Sequence, residues 1–438
     1  MANALTIAGS DSVGGAGLQA DLKAFEALGI HGCTVVTCVT SQNTKGVSSI
    51  FPIPQQEVAR QIKSVLEDVK LDAVKTGMLF SSETVKTVAT LLKGVRAPIV
   101  VDPVMVATTG SPLHESGFLE MLITKLIPMS TIVTPNLLEA ERMTGIKVKD
   151  ERSAKRAAAE ILEFGSDAVL LKGGHLKTKE ATDFLLWDGE ILKLSSPRID
   201  ADVHGTGCTL ASLIAGNLAH GYEIEEAVRI SKSMIFKAIM SREVVGTGIP
   251  CVNPLSILRA EAQKANMLED LEVASKALED IMDSDLIPEV GTNMGYGMLG
   301  ALEPGEVAAF DGRIVRCGTR AKKVGCARFG ASKHVARIVL ATSSQDPEIR
   351  CAMNVKYSDA NVSACRKAKL SVASFERAKE PKGASSMTWG VLDAIERYGR
   401  VPDVIYDKGG MGKEPMIRLL GRSPEDLLLK LKKISVNR

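Results

Sequence analysis

The segment HGTGCT at residues 204–209, followed by the apolar run LASLIAGNL at 210–218, decides how we expect the first half of this chain to fold. The two glycines permit backbone conformations that a Cβ would forbid, and the apolar run predicts a buried helix that ends near Gly221. The free amides of the first helical turn then converge just after the glycines and form an anion hole. The helix dipole adds partial positive charge, which favours a phosphate and is expected to lower the pKa of Cys208. An ordinary glycine-bearing helix start with a buried cysteine has the same local pattern, so the rest of the chain must decide.

Length and composition restrict the class of protein. A chain of 438 residues predicts two or three domains, and 45% hydrophobic with 24% charged residues predicts a soluble protein. The net charge of +2 offers no global field for nucleic acid or an anionic membrane. Neither a signal peptide nor a long apolar span is evident, so we expect a cytoplasmic protein, with a homo-oligomer possible. The eight cysteines form no C-x-x-C pair, which argues against a zinc site or a disulfide scaffold.

A repeated order of strand, polar tip and helix runs through the first half. The apolar run at 4–8 leads into a glycine-rich turn at 9–17 and then an apolar pattern with helical spacing. The glycine spacing is not that of a dinucleotide fingerprint. Asp21, one turn into this helix, is either a solvated acid that complements the dipole or a ligand for a substrate. The order predicts a parallel, doubly wound α/β sheet.

Polar side chains follow several of the predicted strands. A polar cluster occupies 40–44, Asp102 and Glu139 bring carboxylates to two further strand ends, and Lys172 follows another strand. Ligands bind at the carboxyl edge of such sheets, where two acids and a cation suit a magnesium phosphate.

Taken together, the motifs resemble the hydroxymethylpyrimidine/phosphomethylpyrimidine kinase family of thiamine biosynthesis. The resemblance is carried in order by GSD with GGAGLQAD, QNT, KTGM, DPVM, TPNLLE, LKGGH and HGTGC, which begin at residues 9, 14, 42, 75, 102, 134, 171 and 204. It implies a ribokinase-like fold with ATP and Mg²⁺ as cofactors. It also implies that Cys208 takes the place of an aspartate base, a role that the expected low pKa of its thiol would suit. The remaining assignments are a pyrimidine pocket at Asp21, Gln42 and Met78, ATP and phosphate contacts at Lys172, Asn136, Gly205, Thr206 and Gly207, and metal ligands at Asp102 and Glu139.

The pattern breaks at 250–254, where two prolines flank a short segment. We therefore expect a first domain at 1–253, a linker helix at 254–267 and a second domain at 268–438. The second domain mixes short apolar runs with helices and turns, which predicts a smaller α+β fold.

The second half resembles the thiamine-phosphate synthase domain that occurs fused behind this kinase. Basic residues lie beside glycines in DGRI at 311–314, RFGASKHVAR at 328–337 and YDKGGMGKEP at 406–415. Such groups suit a polyanionic small molecule, although each is also compatible with a solvated basic surface. The resemblance implies condensation of hydroxymethylpyrimidine diphosphate with thiazole phosphate. It points to Arg313 and His334 as catalytic, while the role of Arg377 stays open. Charge and neighbouring motifs suggest four phosphate contacts: Arg328, Arg337, Lys408 and Lys413.

Two alternatives remain at this point. Related kinase pockets accept pyridoxal, so pyridoxal phosphorylation is one of them. Domains of the second type also occur as sensors, so the second half could bind thiamine phosphate and only regulate the kinase; the lack of an evident helix-turn-helix favours the enzyme. In each case the partners are small molecules.

Overall fold

The structure, a computed structural model, describes residues 1–105, 114–174, 180–381, 386–410 and 412–438. The chain divides into two units, Met1–Leu258 and Arg259–Arg438. In the described ranges no helix combines the length and the apolar character needed to cross a membrane.

A mixed sheet organises the first unit. Among its described residues nine strands pair in the order β3-β2-β1-β4-β5-β6-β7-β8-β9. The six neighbouring strands β2, β1, β4, β5, β6 and β7 are parallel, as predicted. Strand β3 and the hairpin β8–β9 add antiparallel edges. The strands are β1 (Asn3–Asp11), β2 (His31–Asn43), β3 (Gly46–Pro52), β4 (Ala73–Thr76), β5 (Ile99–Val101), β6 (Ile132–Val133), β7 (Ala168–Leu171), β8 (Glu180–Trp187) and β9 (Glu190–Pro197).

Helices cover both faces of this sheet, which is the doubly wound arrangement. Successive strand residues point to opposite faces. Leu5 and Ile7 therefore belong to one hydrophobic core and Ala4 to the other. The first core includes residues of α2, α3, α5 and α6, and the second includes residues of α1, α7 and α8. The helices are α1 (Gly17–Ala27), α2 (Gln55–Asp68), α3 (Ser82–Leu91), α4 (Phe118–Met121), α5 (Leu137–Thr144), α6 (Glu151–Leu162), α7 (Thr206–Ala219) and α8 (Ile224–Met240).

Helix α7 confirms the prediction made from the glycine-bearing segment. It is almost wholly buried, and it ends just before Gly221, whose φ is +86°. Gly205, immediately before the helix, has φ +85°. A Cβ on Gly205 would lie 1.7 Å from the carbonyl oxygen of Gly15. Both the backbone angle and this close approach therefore require glycine.

The second unit has the predicted α+β fold. Its described strands form a largely antiparallel sheet in the order β14-β11-β10-β15-β18-β17-β16, with β12–β13 as a separate ribbon. The strands are β10 (Met294–Gly297), β11 (Val307–Phe310), β12 (Ile314–Cys317), β13 (Arg320–Lys323), β14 (Ala327–Phe329), β15 (Cys351–Lys356), β16 (Val372–Ser374), β17 (Val404–Asp407) and β18 (Met416–Gly421). The helices are α9 (Ser256–Ile281), α10 (Lys333–Ser343), α11 (Asp359–Lys367), α12 (Ser386–Tyr398) and α13 (Pro424–Val436).

Helix α9 begins at Ser256 and continues beyond residue 267, so it includes most of the segment 254–267 that we expected to be a linker helix. The two units divide within it, between Leu258 and Arg259. Its later turns bury Leu271 and Leu278 in the core of the second unit. The expected linker is therefore the first half of a longer helix whose second half belongs to a domain core.

Candidate active sites

The first turn of α7 faces two charged side chains that come from other strand ends. A Cβ on Gly207 would lie 3.3 Å from Lys172 Nζ and 3.9 Å from Asp102 Oδ2. Lys172 Nζ donates to Asp102 Oδ1 at 2.9 Å, and Thr134 Oγ1 donates to the same oxygen at 3.2 Å. The structure thus places the predicted anion hole, the cation and one carboxylate together.

A second carboxylate, Glu139, lies close to the first. Glu139 and Asn136 form a capping box at the start of α5, in which each side chain accepts from the other's backbone amide. Burial raises the pKa of Glu139 to about 7, with Lys172 opposing this shift and Asp102 adding to it. Burial alone would lower the pKa of Lys172, but the two carboxylates hold it above its ordinary value. The group therefore has more acidic than basic side chains, and a divalent cation would offset that excess.

Magnesium is commonly held by one or two carboxylates together with substrate phosphates. In the ranges that the structure describes, no three or more His, Cys, Asp or Glu side chains gather around one point. The pair formed by Asp102 and Glu139 therefore fits a magnesium that is shared with a nucleotide, rather than a metal enclosed by protein alone.

The expectation that the helix terminus lowers the pKa of Cys208 is wrong. Burial raises the pKa of this thiol to about 11, because it outweighs the opposing effect of the Lys75 ammonium, and the carboxylates Asp102 and Asp21 raise it further. The backbone amide of Gly17 acts in the lowering direction. The thiol is consequently protonated at neutral pH in this structure.

Asp21 is not the solvated acid that the sequence allowed. Its side chain is completely buried and forms an ion pair with Lys75, which is also completely buried. Lys75 Nζ lies 2.9 and 2.8 Å from the two carboxylate oxygens. Thr6 Oγ1 and Ser212 Oγ donate at 2.6 and 2.7 Å. Protein donors therefore contact both oxygens, and we expect Asp21 to influence a substrate mainly through Lys75.

The other two residues expected in the pyrimidine pocket lie at strand ends. Met78 is buried with its Sδ 3.7 Å from Cys38 Sγ, and the two form a small apolar cluster of their own against Ile50, Phe80 and Val104. Gln42, at the end of β2, is partly exposed and lies beside His204. An apolar wall and an amide of this kind suit a small heterocyclic ring.

In the second unit, the charges of several arginines converge on His334. This histidine is the second residue of α10 and follows the N-cap Ser332. Partial burial, and then the guanidinium groups of Arg418, Arg313, Arg377 and Arg337 in that order, lower the pKa of His334. The two predicted catalytic residues and Arg337 are therefore close enough to interact electrostatically. Two more arginines, Arg377 and Arg418, belong to the same group.

The two added arginines share one buried carboxylate. Arg377 Nε lies 2.5 Å from Asp407 Oδ1, and Arg418 Nη1 lies 2.8 Å from Asp407 Oδ2. Arg418 is fully buried, its guanidinium lies over the Phe375 ring at 5.0 Å, and its Nε has no hydrogen-bond partner in the structure. Gly409, in the glycine-rich loop, donates its amide to Asp407 Oδ1 at 2.8 Å. Two guanidinium groups thus share one carboxylate, so a net positive charge remains next to this loop.

The remaining basic residues lie in different surroundings. Arg313 has φ +70° and donates through Nη1 to the carbonyl oxygen of Val290. Arg328 forms an exposed ion pair with Asp311 at 3.0 Å, and its charge is not among those that most affect His334. Lys408 and Lys413 lie in the exposed glycine-rich loop, where Lys413 pairs with Glu380 at 3.3 Å.

Comparisons with known protein families match both units. A phosphomethylpyrimidine kinase model matches residues 11–253, and a model of thiamine-phosphate synthase ThiN matches residues 270–433. The bifunctional thiamine biosynthesis protein ThiDN of Methanocaldococcus jannaschii is 35% identical over 98% of this chain and 97% of its own length. The chain belongs to this family of kinase–synthase fusions. Its two units are therefore a phosphomethylpyrimidine kinase domain and a thiamine-phosphate synthase domain.

Relatives of the kinase unit support the same assignment. The hydroxymethylpyrimidine/phosphomethylpyrimidine kinase of Streptomyces coelicolor is 49% identical over 56% of this chain and 91% of its own length. The solved phosphomethylpyrimidine kinase of Clostridium difficile has a TM-score of 0.50 at 44% identity, covering 55% of this chain and all of the other. An ADP complex of Bacillus subtilis pyridoxal kinase has a TM-score of 0.55 at 34% identity, and the match covers 59% of this chain and 99% of the other. The kinase unit thus has the ribokinase-like fold.

Sequence reasoning gave no role to four polar or charged residues of these sites: Lys75, His204, Asp407 and Arg418. Lys75 and Arg418 each interrupt an apolar strand. A charge inside an otherwise apolar strand is a usable signal, because charged residues are almost never fully buried unless they are paired. His204 and Asp407 lay within quoted motifs. The partners of His204 are distant in the chain, whereas Asp407 contacts both Arg377, 30 residues away, and Arg418 on the neighbouring strand.

Proposed function

We propose that the chain makes thiamine phosphate in two stages. The kinase unit phosphorylates hydroxymethylpyrimidine and then its monophosphate with ATP and Mg²⁺. The synthase unit joins the resulting diphosphate to thiazole phosphate and releases inorganic diphosphate. The observation that best supports this proposal is that each unit has a cluster of groups suited to bind an anion. One cluster lies at the start of α7 in the first unit, and the other surrounds His334 in the second.

The kinase step needs alignment and charge neutralisation more than covalent chemistry. The hydroxymethyl oxygen attacks the γ-phosphorus, the bond to the β–γ bridging oxygen breaks, and ADP leaves. The amides of Gly205, Thr206 and Gly207 hold the transferred group, Lys172 neutralises its oxygens, and Asn136 fixes the start of α5 beside Lys172. Bound at Asp102 and Glu139, Mg²⁺ would supply further charge neutralisation at the phosphates.

Cys208 is the candidate acceptor for the proton of the attacking hydroxyl. Because its pKa is about 11, the thiol must first give its own proton to solvent, and the small thiolate fraction then accepts the proton of the hydroxyl. Lys75 is the nearby cation that favours the thiolate. An anion on Cys208 would therefore be stabilised by the buried lysine, whose position depends on Asp21.

The pocket formed by Gln42 and Met78 accepts the pyrimidine ring. Pyridoxal is a second candidate substrate of the kinase unit, because the pyridoxal kinase of Bacillus subtilis shares its fold at 34% identity. Competition between the two rings in one assay decides which is preferred.

The synthase step breaks the bond between the pyrimidine methylene carbon and diphosphate, and the thiazole nitrogen forms a new bond to that carbon. Negative charge grows on the leaving oxygen as the bond breaks, so a guanidinium placed there stabilises the transition state. Arg313 serves this role, and His334 donates a hydrogen bond to the departing group. Arg328, Arg337, Lys408 and Lys413 are candidate contacts for the other phosphate oxygens, with Arg377 and Arg418 adding charge next to the glycine-rich loop.

One experiment tests both stages. The full chain is incubated with hydroxymethylpyrimidine, ATP, Mg²⁺ and thiazole phosphate, and thiamine phosphate and diphosphate are quantified together. We expect both products in equal amounts. Accumulation of hydroxymethylpyrimidine diphosphate, with thiamine phosphate binding but not forming, would instead assign the second unit a sensing role.

A further inference from the structure

Three side chains from distant parts of the chain meet beside the pyrimidine pocket. Asp11 ends β1, Gln42 lies near the end of β2, and His204 precedes α7. His204 Nε2 lies 3.0 Å from Asp11 Oδ2 and 2.9 Å from Gln42 Nε2. One ring nitrogen therefore contacts both a carboxylate and an amide, and its single hydrogen determines what each of them can do.

Asp11 is an ionised acceptor. Its Oδ1 accepts from the amide of Val13 at 3.0 Å, and its Oδ2 accepts from the amides of Gly15 and Ala16 at 3.0 and 2.8 Å. Although burial acts in the opposite direction, the hydrogen bonds from His204 and from the amides of Val13 and Ala16 hold the pKa of Asp11 below its ordinary value. A carboxylate can only accept, so the hydrogen in the contact with Asp11 is on His204 Nε2.

This protonation decides which way the Gln42 amide faces. With Gln42 Nε2 towards His204 Nε2, two donors would face each other. The oxygen and nitrogen of an amide have nearly the same size, so its orientation must follow from the hydrogen bonds around it. Rotating the amide by half a turn places Oε1 against His204 Nε2, where it shares the hydrogen that His204 gives to Asp11.

Thr40 requires the same orientation independently. Its Oγ1 lies 2.8 Å from the carbonyl oxygen of Ser10 and 3.4 Å from Gln42 Oε1. A hydroxyl has one hydrogen, and the shorter contact with Ser10 uses it. The amide atom that faces Thr40 must then be the donor. Thr40, on β2, and His204, in the segment before α7, therefore require the same orientation of the Gln42 amide.

We infer that Asp11, His204 and Thr40 are positioning residues that fix the Gln42 amide with its oxygen towards His204 and its NH₂ group towards Thr40. This inference rests on the proposed function, in which Gln42 contacts the substrate ring. Fixed in this way, the amide keeps one acceptor position on Oε1 and one N–H for a ligand. An aminopyrimidine matches that edge, because its ring nitrogen accepts from the N–H and its exocyclic amino group donates to the oxygen. Glutamine pairs with adenine through the same pattern.

The fixed amide also gives a reason for ring selectivity. The pyridoxal ring has no amino group on a carbon next to its ring nitrogen, and its hydroxyl group lies one carbon further away, so it does not offer the same adjacent donor and acceptor. An amide free to rotate would serve either ring, whereas the fixed amide favours the aminopyrimidine. Selectivity of this kind is a difference between two binding free energies.

The test measures KM and kcat of the full chain for hydroxymethylpyrimidine, pyridoxal and ATP. His204→Leu removes the hydrogen-bond donor, and Thr40→Val removes the acceptor on the other side. For each variant we expect KM for hydroxymethylpyrimidine to rise about tenfold, the equivalent of one hydrogen bond, with KM for ATP nearly unchanged. The preference over pyridoxal should narrow by a similar factor. His204→Gln, which keeps an N–H donor, should restore part of the preference.

A double-mutant cycle with Gln42→Ala separates positioning from a general structural effect. If His204 acts through Gln42, His204→Leu adds less than about twofold to KM in the Gln42→Ala background. His220→Leu, the same substitution at the other end of α7, is the matched control and should leave the KM values unchanged. If the His204 and Gln42 effects multiply, or if neither His204→Leu nor Thr40→Val changes the preference for the ring, the inference is overturned. A wild-type protein that does not phosphorylate hydroxymethylpyrimidine would instead refute the proposed function.

Discussion

The buried pair of Asp21 and Lys75 supports a quantitative prediction for Asp21→Asn. The substitution keeps the size of the side chain but removes its negative charge, so the Lys75 ammonium remains in a site with no solvent exposure. One of the two positions that accept from Lys75 Nζ also becomes an amide donor facing it. Thr6 and Ser212 keep only part of their hydrogen bonding.

Removing one partner of a buried ion pair costs about 3–5 kcal/mol. For a unit of this size, a loss of 1 kcal/mol lowers Tm by about 2–4 °C. We therefore expect Asp21→Asn to lower the Tm of the kinase unit by roughly 6–20 °C. Thermal unfolding of the full chain, followed by circular dichroism and calorimetry, measures this shift.

Two further variants sharpen the result. Asp21→Asn combined with Lys75→Met removes both charges and should be more stable than Asp21→Asn alone. Glu225→Gln breaks an exposed ion pair with Arg229 on α8 and should change stability by less than about 0.5 kcal/mol. The pair is not a mutually dependent buried ion pair if the free energy of unfolding of Asp21→Asn lies within about 1 kcal/mol of the wild-type value. The same conclusion follows if the double variant loses as much stability as Asp21→Asn and Lys75→Met lose together.

Three further outcomes are expected. Cys208→Ala should keep ATP binding while kinase turnover falls by roughly one to four orders of magnitude, and unchanged turnover would mean that the thiol only packs. Arg313→Ala and His334→Ala should each reduce thiamine phosphate formation by about a hundredfold or more with near-normal kinase activity, whereas loss of both activities would contradict independent units. In an NMR titration His334 should show a pKa below 6.5, and inorganic diphosphate should raise it because an anion offsets the guanidinium charges; no change on adding diphosphate would place that ligand elsewhere.

Local patterns predicted much of the kinase unit. Strands with polar tips followed by helices are typical of a parallel sheet, and the sheet brings those tips to one edge. This is why Asp102, Lys172 and the first turn of α7 could be grouped from the sequence. Asp102 and Lys172 follow the parallel strands β5 and β7, so the order of strand ends along the sheet brings these two side chains together.

The missed features depend on contacts between distant segments. The pKa of Cys208 was predicted in the wrong direction because the helix dipole is visible in the sequence, whereas burial and the surrounding carboxylates come from other elements. Lys75 was read as part of a motif, and only the covering of both sheet faces makes it internal. Asp407 and Arg418 lie on the neighbouring strands β17 and β18, which we did not predict to pair, and Arg377 reaches Asp407 from a segment 30 residues away.

The close approach of Gly205 to the carbonyl oxygen of Gly15 joins two segments that the ribosome makes about 190 residues apart. By residue 200 the nascent chain has made the described parallel strands of the first sheet, but among the described helices only α1 is then present on the face that α7 and α8 later complete. Apolar strand surface exposed in this way is prone to aggregate. The proposed nucleotide site closes only when the glycine-bearing segment reaches Gly15 in the first glycine-rich turn. Nascent chains shorter than this have no complete site through which ATP could stabilise them, so the unit must reach α7 before ligand binding can assist its folding.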